Sequence, residues 1–219
     1  MPPLLRIEGL DVAIGPVGIL RNVNMELPAA KFAGLIGRNG AGKTTLVRSI
    51  MGILTPRNGS IHLDGATLDA LPTHMRARCG IGYMPEDRRL VPDLSVEENV
   101  LMPAWASSQL EIQARLAKVY EMIPEVQAFA QRKAMLLSGG QQKLAALARA
   151  LMCGTKILLL DEPFEGVAPV LARRLAEVIA GLKQEGLSIL LTGSDLSHSK
   201  ELLDALFIID RGEVTAAPP

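Results

Sequence analysis

The stretch Gly37-Arg38-Asn39-Gly40-Ala41-Gly42-Lys43-Thr44-Thr45 fills the pattern G-x-x-x-x-G-K-[ST] without a mismatch. It constrains the fold because the pattern works only as a loop between a strand and a helix. Both flanks agree. Phe32-Ala33-Gly34-Leu35-Ile36 is a short apolar run that reads as a buried strand, and 45–51 reads as a helix with Gly52 as its stop. Each loop position has a task on a nucleoside triphosphate. The glycines let the backbone turn successive N–H groups, from Asn39 through Thr45, toward phosphate oxygens. Lys43 sets a positive charge against the β- and γ-phosphates, and the Thr44 hydroxyl can ligate Mg²⁺. The start of the helix adds the positive end of its dipole.

Ile157-Leu158-Leu159-Leu160-Asp161-Glu162-Pro163 is an apolar strand that delivers two carboxylates to its C-terminal end. In a parallel sheet that end lies at the mouth, beside the phosphate loop. Asp161 can hold Mg²⁺, directly or through water, opposite Thr44. Glu162 is placed to polarise an attacking water. A third stretch, Leu137-Ser138-Gly139-Gly140-Gln141-Gln142, leads into a helix over 141–152, with Leu144, Leu147, Ala148 and Leu151 at helical spacing. Ser138 with Gly139 and Gly140 at a helix N-terminus makes either a second anion site or a helix cap alone.

The rest of the chain reads as α/β. Leu4–Val12 and Ile19–Leu27, split by Gly15-Pro16-Val17-Gly18, form a hairpin, and 59–65 adds a strand to a small antiparallel sheet. Residues 93–153 are mostly helical, including 110–123. The apolar runs 157–160 and 188–191 fit strands buried on both faces. Pro169 through Leu182 reads as a helix with Gly186 past its end, 206–210 and 213–214 as a closing hairpin, and Ala216-Ala217-Pro218-Pro219 as a frayed tail.

With 219 residues, 23 Lys+Arg against 23 Asp+Glu, and only one Trp, two Tyr and four Phe, the chain lacks both a basic surface and a supply of stacking rings. That argues against a nucleic-acid partner. Hydrophobic residues reach 48%, which a large core or an apolar docking face would explain. No apolar run approaches the roughly 18 residues of a membrane span, and 1–6 does not read as a signal peptide. Cys79 and Cys153 lack metal-ligand spacing and read as reduced, structural thiols.

The phosphate loop, 137–142 and 158–163, in this order and spacing, resemble an ABC-type ATPase, the nucleotide-binding subunit of an ATP-binding cassette transporter. The resemblance covers almost the whole chain. Gly82-Tyr83-Met84-Pro85-Glu86-Asp87-Arg88-Arg89 running into 94–100, and 161–169, are similar to the ATPase subunits of branched-chain amino acid uptake systems.

The resemblance implies a single P-loop NTPase (RecA-like) domain over 1–219. It would have a parallel-sheet core, an antiparallel β subdomain and an α-helical subdomain at about 93–153. It implies ATP and Mg²⁺ as ligands, and two cassettes facing head to tail, with Ser138-Gly139-Gly140 of one covering ATP on the other. The second cassette would be a copy of this chain or a paralogous ATPase subunit. The Glu86 segment and the helical subdomain would contact membrane permease subunits. These serve solute import, of an amino acid or related small polar solute, with a solute-binding protein as an indirect partner. The chain would sit at the cytoplasmic face of the membrane. A regulatory or non-transport ABC ATPase with low turnover is the rival expectation.

Three positions depart from the family pattern. Val12-Ala13-Ile14-Gly15 carries no aromatic where the family stacks a ring on adenine. Glu86 stands at the coupling glutamine; it is either a Mg²⁺ ligand or an exposed acid touching the partner. Ser194 stands where the family has a histidine on the γ-phosphate, and His198 follows, one turn away if a helix starts near Asp195. On this alignment Ser194, with Glu162, belongs to the catalytic set, and His198 is a surface residue.

Overall fold

The structure, a computed structural model, describes residues 3–105 and 111–218. Two sheets organise it. Strands β1 (Leu5–Ile14) and β2 (Val17–Leu27) form the expected antiparallel hairpin. The buried residues of β1 change parity along its length: Leu5 and Ile7 first, then Leu10 and Val12. Period-two alternation cannot do this without an extra residue. The ladder slips between Ile7 and Leu10, where Gly9 has φ 56°, so a bulge restores the inward face.

The second sheet brings together distant segments. Its strands are β3 (Phe32–Ile36), β6 (Ile81–Met84), β7 (Ile157–Asp161), β8 (Ser188–Gly193), β9 (Ala205–Asp210) and β10 (Glu213–Ala217). Their order is β10-β9-β3-β8-β7-β6, with β10 antiparallel at one edge and the others parallel. Strands β4 (Asn58–Leu63) and β5 (Ala66–Thr67) extend the first sheet in the order β2-β1-β4-β5. β5 and β6 were absent from the sequence expectations.

Every residue of β7 and of β8 is buried, as their continuous apolar runs require. The two faces of β7 feed different cores. Ile157 and Leu159 pack with the hairpin and α1 (Lys43–Ile50). Leu158 and Leu160 pack with the helices on the other side.

Those helices are α3 (Val96–Trp105), α4 (Ile112–Met122), α5 (Pro124–Ala128), α6 (Gly139–Cys153) and α7 (Pro169–Gln184). A short α2 (Thr73–Arg78), not foreseen from the sequence, precedes β6. Between β6 and β7 the structure is mainly helical, as expected of 93–153, although Leu110 of the expected helix 110–123 lies outside the described residues. Asn99, fully buried on α3, bonds the backbone of Val91, Leu94 and Ser95 and ties the incoming loop to the helix.

The tail expectation needs correction. Ala216 and Ala217 are not frayed but pair with Phe207 and Leu206 in the closing hairpin, because the register set by Arg211-Gly212 carries them along β9. Pro219 lies outside the described residues. Cys79 and Cys153 are both free thiols. Burial pushes the Cys153 thiol up to about 11, so it is inert as a nucleophile near neutral pH.

Candidate functional site

The phosphate loop leaves β3 and enters α1 directly. Gly42, immediately before the helix, has φ 117°, and a Cβ there would meet Leu20 at 2.8 Å. The backbone angle therefore selects glycine. The turn points Lys43 back into the loop, 3% exposed, where its ammonium donates to the carbonyls of Gly37 (2.7 Å) and Arg38 (3.2 Å).

The parallel sheet brings Asp161 and Glu162 to the same place at the C-terminal end of β7. The Thr44 hydroxyl donates to Asp161 Oδ1 at 3.2 Å, and the Thr192 hydroxyl of β8 donates to it at 2.8 Å. Asp161 is fully buried, and burial pushes its carboxyl above the usual carboxylate range despite those hydroxyls. Glu162 has φ 49°, rare for a side-chain-bearing residue. Its N–H donates to Thr192 Oγ1 at 3.1 Å, and its carboxylate lies 3.0 Å from Lys43 Nζ.

Lys43, Thr44 and Glu162 open on one cavity of about 410 Å³, lined also by Ile19, Asn39, Gly40, Gly42, Thr45, Glu86 and Glu165, while Asp161 is buried behind Thr44. Glu86 is exposed at its rim. Partial burial, then the charges of Glu162 and Asp161, raise its pKa. Such a cavity joins main-chain donors, a buried lysine and oxygen ligands, the chemistry of a polyphosphate with a hard cation. Among the described residues no cluster of three or more His, Cys, Asp and Glu forms a stand-alone metal site.

Other expected residues lie elsewhere. Ser138 caps α6 in a reciprocal box with Gln141: its Oγ accepts from Gln141 N at 3.3 Å, and its N–H donates to Gln141 Oε1 at 3.0 Å. Ser138 and Gly139 are exposed, Gly140 is half-buried, and none of the three lines the chain's own cavity. Ala41 is buried beneath the loop. Ile14 is exposed at the end of β1, whereas Ile19 of β2 lines the cavity.

Ser194 borders a neighbouring cavity of about 140 Å³ with Glu162, Phe164, Glu165, Thr192, Gly193, Asp195 and His198. No helix starts at Asp195. Its carboxylate accepts the Ser197 N–H at 2.8 Å and folds the chain into a turn, a local bond that competes with a helix. His198 is solvent-exposed as expected, yet it borders the same cavity and packs on Phe164, ring centroids 5.7 Å apart.

Several residues of the site escaped sequence reasoning. Thr192 links both carboxylate residues and sits inside an apolar run without a motif. Lys143 on α6 is buried against the turn after β7. Arg149 of α6 donates to the carbonyls of Arg88 and Arg89, which have φ 62° and 49°, and Arg88 donates to Gln142 Oε1 at 2.9 Å. The segment after Glu86 is thus fastened to the helix that Ser138 heads.

Comparison with known proteins agrees with this geometry. Residues 20–165 match the family model described as ABC transporter. The chain is 33% identical to the high-affinity branched-chain amino acid transport ATP-binding protein BraG of Pseudomonas aeruginosa, over 96% of this chain and 91% of that one. It is 31% identical to the lipopolysaccharide export system ATP-binding protein LptB of Haemophilus influenzae, over 97% and 89%. Among solved structures, the ADP conformation of an ATP-binding cassette of an ABC transporter superposes with a TM-score of 0.83 at 26% identity, over 98% of this chain and 90% of that one.

Proposed function

Because the chain belongs to the ABC transporter family and is an ABC ATPase, we propose that it binds ATP with Mg²⁺ in the Lys43–Glu162 cavity and hydrolyses it to drive a solute through a membrane permease. The observation that carries this reading is the convergence of Lys43, Thr44 and Glu162 on one cavity, from α1 and the C-terminal end of β7, with Asp161 bonded to Thr44 behind it.

Loop N–H groups from Asn39 to Thr45 hold the phosphates, and Lys43 exchanges Glu162 for their β- and γ-oxygens. Mg²⁺ fits the residues present. Asp161 is a buried carboxylate facing the hydroxyls of Thr44 and Thr192, an oxygen set suited to a hard cation. Thr44 and Asp161 would hold the ion, with Glu86 at the rim as a third ligand. When bound, it neutralises charge on the phosphates. Glu162, once free of Lys43, accepts a hydrogen bond from the attacking water and so orients it at the γ-phosphorus. Ser194 adds a neutral donor from the adjoining cavity.

The outward-facing Ser138, Gly139 and Gly140 cover ATP on a second cassette, either a copy of this chain or a paralogous subunit. The chain as a whole, 1–219, acts as one cassette, with 93–153 as an inserted helical subdomain. An apolar groove of about 340 Å³ beside the Glu86 segment, walled by Met51, Ile53, Tyr83, Pro85, Met102 and Pro103 among others, receives a permease segment. No helix among the described residues is long and apolar enough to cross a membrane; in this reading the chain attaches at the cytoplasmic face through permease subunits. The likeness to BraG supports amino acid transport; in this reading the solute, an amino acid or related small polar molecule, is imported after delivery by a solute-binding protein, whereas the likeness to LptB favours export. The zero net charge gives no grip for nucleic acid.

Ser194 in place of histidine, with no ring at Ile14, favours one rival reading, a regulatory or non-transport ATPase of low turnover. The ATPase rate of the chain, alone and in proteoliposomes with its permease subunits, separates the two. A rate that rises with permease and solute supports transport. A low rate that permease leaves unchanged supports the rival.

A further inference from the structure

Lys143 is 2% exposed on α6, and its ammonium is spent on three main-chain carbonyls. They belong to Glu162 (3.1 Å), Pro163 (3.0 Å) and Glu165 (2.6 Å), the turn that follows β7. An ammonium has three donors and no acceptor, so the match is complete. An apolar side chain at this position would leave the three carbonyls without this partner inside the protein.

The turn needs such a tie. Glu162 has φ 49°, a conformation that persists only where the surroundings over-determine it. Its N–H is fixed by Thr192 on β8 and its carboxylate by Lys43 on α1. Its carbonyl accepts the Glu165 N–H within the turn at 3.2 Å, and Lys143 supplies the tie from outside the turn, from the helix that Ser138 caps.

We propose that Lys143 is a positioning residue for ATP hydrolysis: it pins the Glu162–Glu165 backbone so that the Glu162 carboxylate faces the phosphate-loop cavity, and it makes that alignment depend on the seating of the α6 helix. The inference rests on the reading that Glu162 orients the attacking water. Its chemistry leaves a signature in pH. Lys143 faces Arg88 and Glu86 from the loop after β6, and Glu162 and Glu165 from the turn after β7. Burial, and then the like charge of Arg88, lowers its pKa to about 8, the acids opposing. Above that pH the neutral amine has two N–H donors for three carbonyls and turns a lone pair on one of them.

The test is steady-state ATPase kinetics between pH 6.5 and 9.5 on the full chain, for wild type, Lys143→Met, Lys143→Arg and Glu162→Gln, with thermal melts to confirm folding. Lys143→Met should lose at least about tenfold in kcat, with KM for ATP within about threefold, since the loop that binds phosphate is untouched. Wild-type kcat should fall as pH rises through about 8. Lys143→Arg, which keeps its charge throughout, should recover most of the turnover at pH 7 and stay level to pH 9.5. If Lys143→Met does not fold, the Lys143→Arg profile decides alone. A folded Lys143→Met with wild-type kcat, or wild type and Lys143→Arg declining together above pH 8, overturns the proposal. Glu162→Gln separates the two levels. If it is inactive while Lys143→Met is normal, only the role of Lys143 fails. If it turns over like wild type, the role of Glu162 falls, and this inference with it.

Discussion

Lys43 Nζ lies 3.0 Å from Glu162 Oε1, and both side chains are buried. The group expected to bind phosphate and the group expected to orient water therefore hold each other. On the proposed reading ATP takes Lys43 from Glu162, and nucleotide binding and release of the carboxylate are then one event. Glu162→Gln removes the charge that competes for Lys43 and that faces an incoming γ-phosphate. It should keep ATP binding, slow hydrolysis by about 10² to 10⁴, and leave an ATP-held dimer that light scattering detects. A Glu162→Gln chain that stays monomeric in saturating ATP and Mg²⁺ would sink the head-to-tail arrangement.

Asp161 should cost the nucleotide-free protein stability. Its folded-state pKa is raised, chiefly by burial, so the native state binds its proton more tightly than the unfolded chain does. By linkage, this site makes folding less favourable as pH rises from the usual aspartate value through its raised folded-state value. Asp161→Asn keeps an acceptor for Thr192 and Thr44 without the charge. Its thermal midpoint without ligand should exceed wild type at pH 7, with the gap closing toward pH 4. The midpoint should rise less than wild type does on adding ATP with Mg²⁺. Calorimetry at the two pH values reads both effects; an Asn variant less stable at pH 7 would show that the hydroxyl bonds outweigh burial.

What was legible in the sequence was local. The phosphate loop and Asp161-Glu162 each declare themselves within nine residues or fewer, because backbone curvature and strand-end carboxylates are short-range features. The long apolar runs fixed β7 and β8 for the same reason. Contacts that join remote segments were not legible. Thr192 reaches Asp161 from a neighbouring strand, and nothing in Leu190-Leu191-Thr192 marks it. Lys143 sits beside Leu144 on a helix whose apolar spacing does not mark it; its three acceptors lie in a turn that only the tertiary fold places there. Strand β6 was overlooked because four residues with Gly82 among them carry little periodicity. Ala216 and Ala217 stand in a strand because pairing with β9 overrides their weak intrinsic preference.

Nucleotide selectivity should be loose. Ile14 has no ring to stack on a base, and Ile19 offers the cavity apolar surface only. Aromatic stacking contributes about 0.5–1.5 kcal/mol beyond the area it buries, so its loss corresponds to roughly one decade of affinity, and apolar contact alone reads no base edge. GTP should displace a fluorescent ATP analogue within about tenfold of the ATP concentration that does so. A hundredfold preference for ATP would reveal a base-reading contact that neither isoleucine supplies. Placing tyrosine at Ile14 should tighten ATP binding by about tenfold at most, on the same energy.

Ser194 and His198 share a small cavity with Glu162, and the turn made by Asp195 and Ser197 sets them side by side. Either could face the γ-phosphate, but their chemistry differs. A serine hydroxyl gives one neutral hydrogen bond, worth about 1 kcal/mol, so Ser194→Ala should slow turnover by several-fold, far less than Glu162→Gln. His198 is exposed and its ring already packs on Phe164, so His198→Ala should leave turnover nearly unchanged. Ser194→His is the sharper probe. An imidazole on the strand-end residue can donate to phosphate as a neutral ring or as a cation, and should raise kcat where γ-phosphate contact limits the rate. Steady-state ATPase measurements on the three variants decide between the two positions. A large loss in His198→Ala with a silent Ser194→Ala would mean that the turn, rather than the strand end, supplies the γ-phosphate contact.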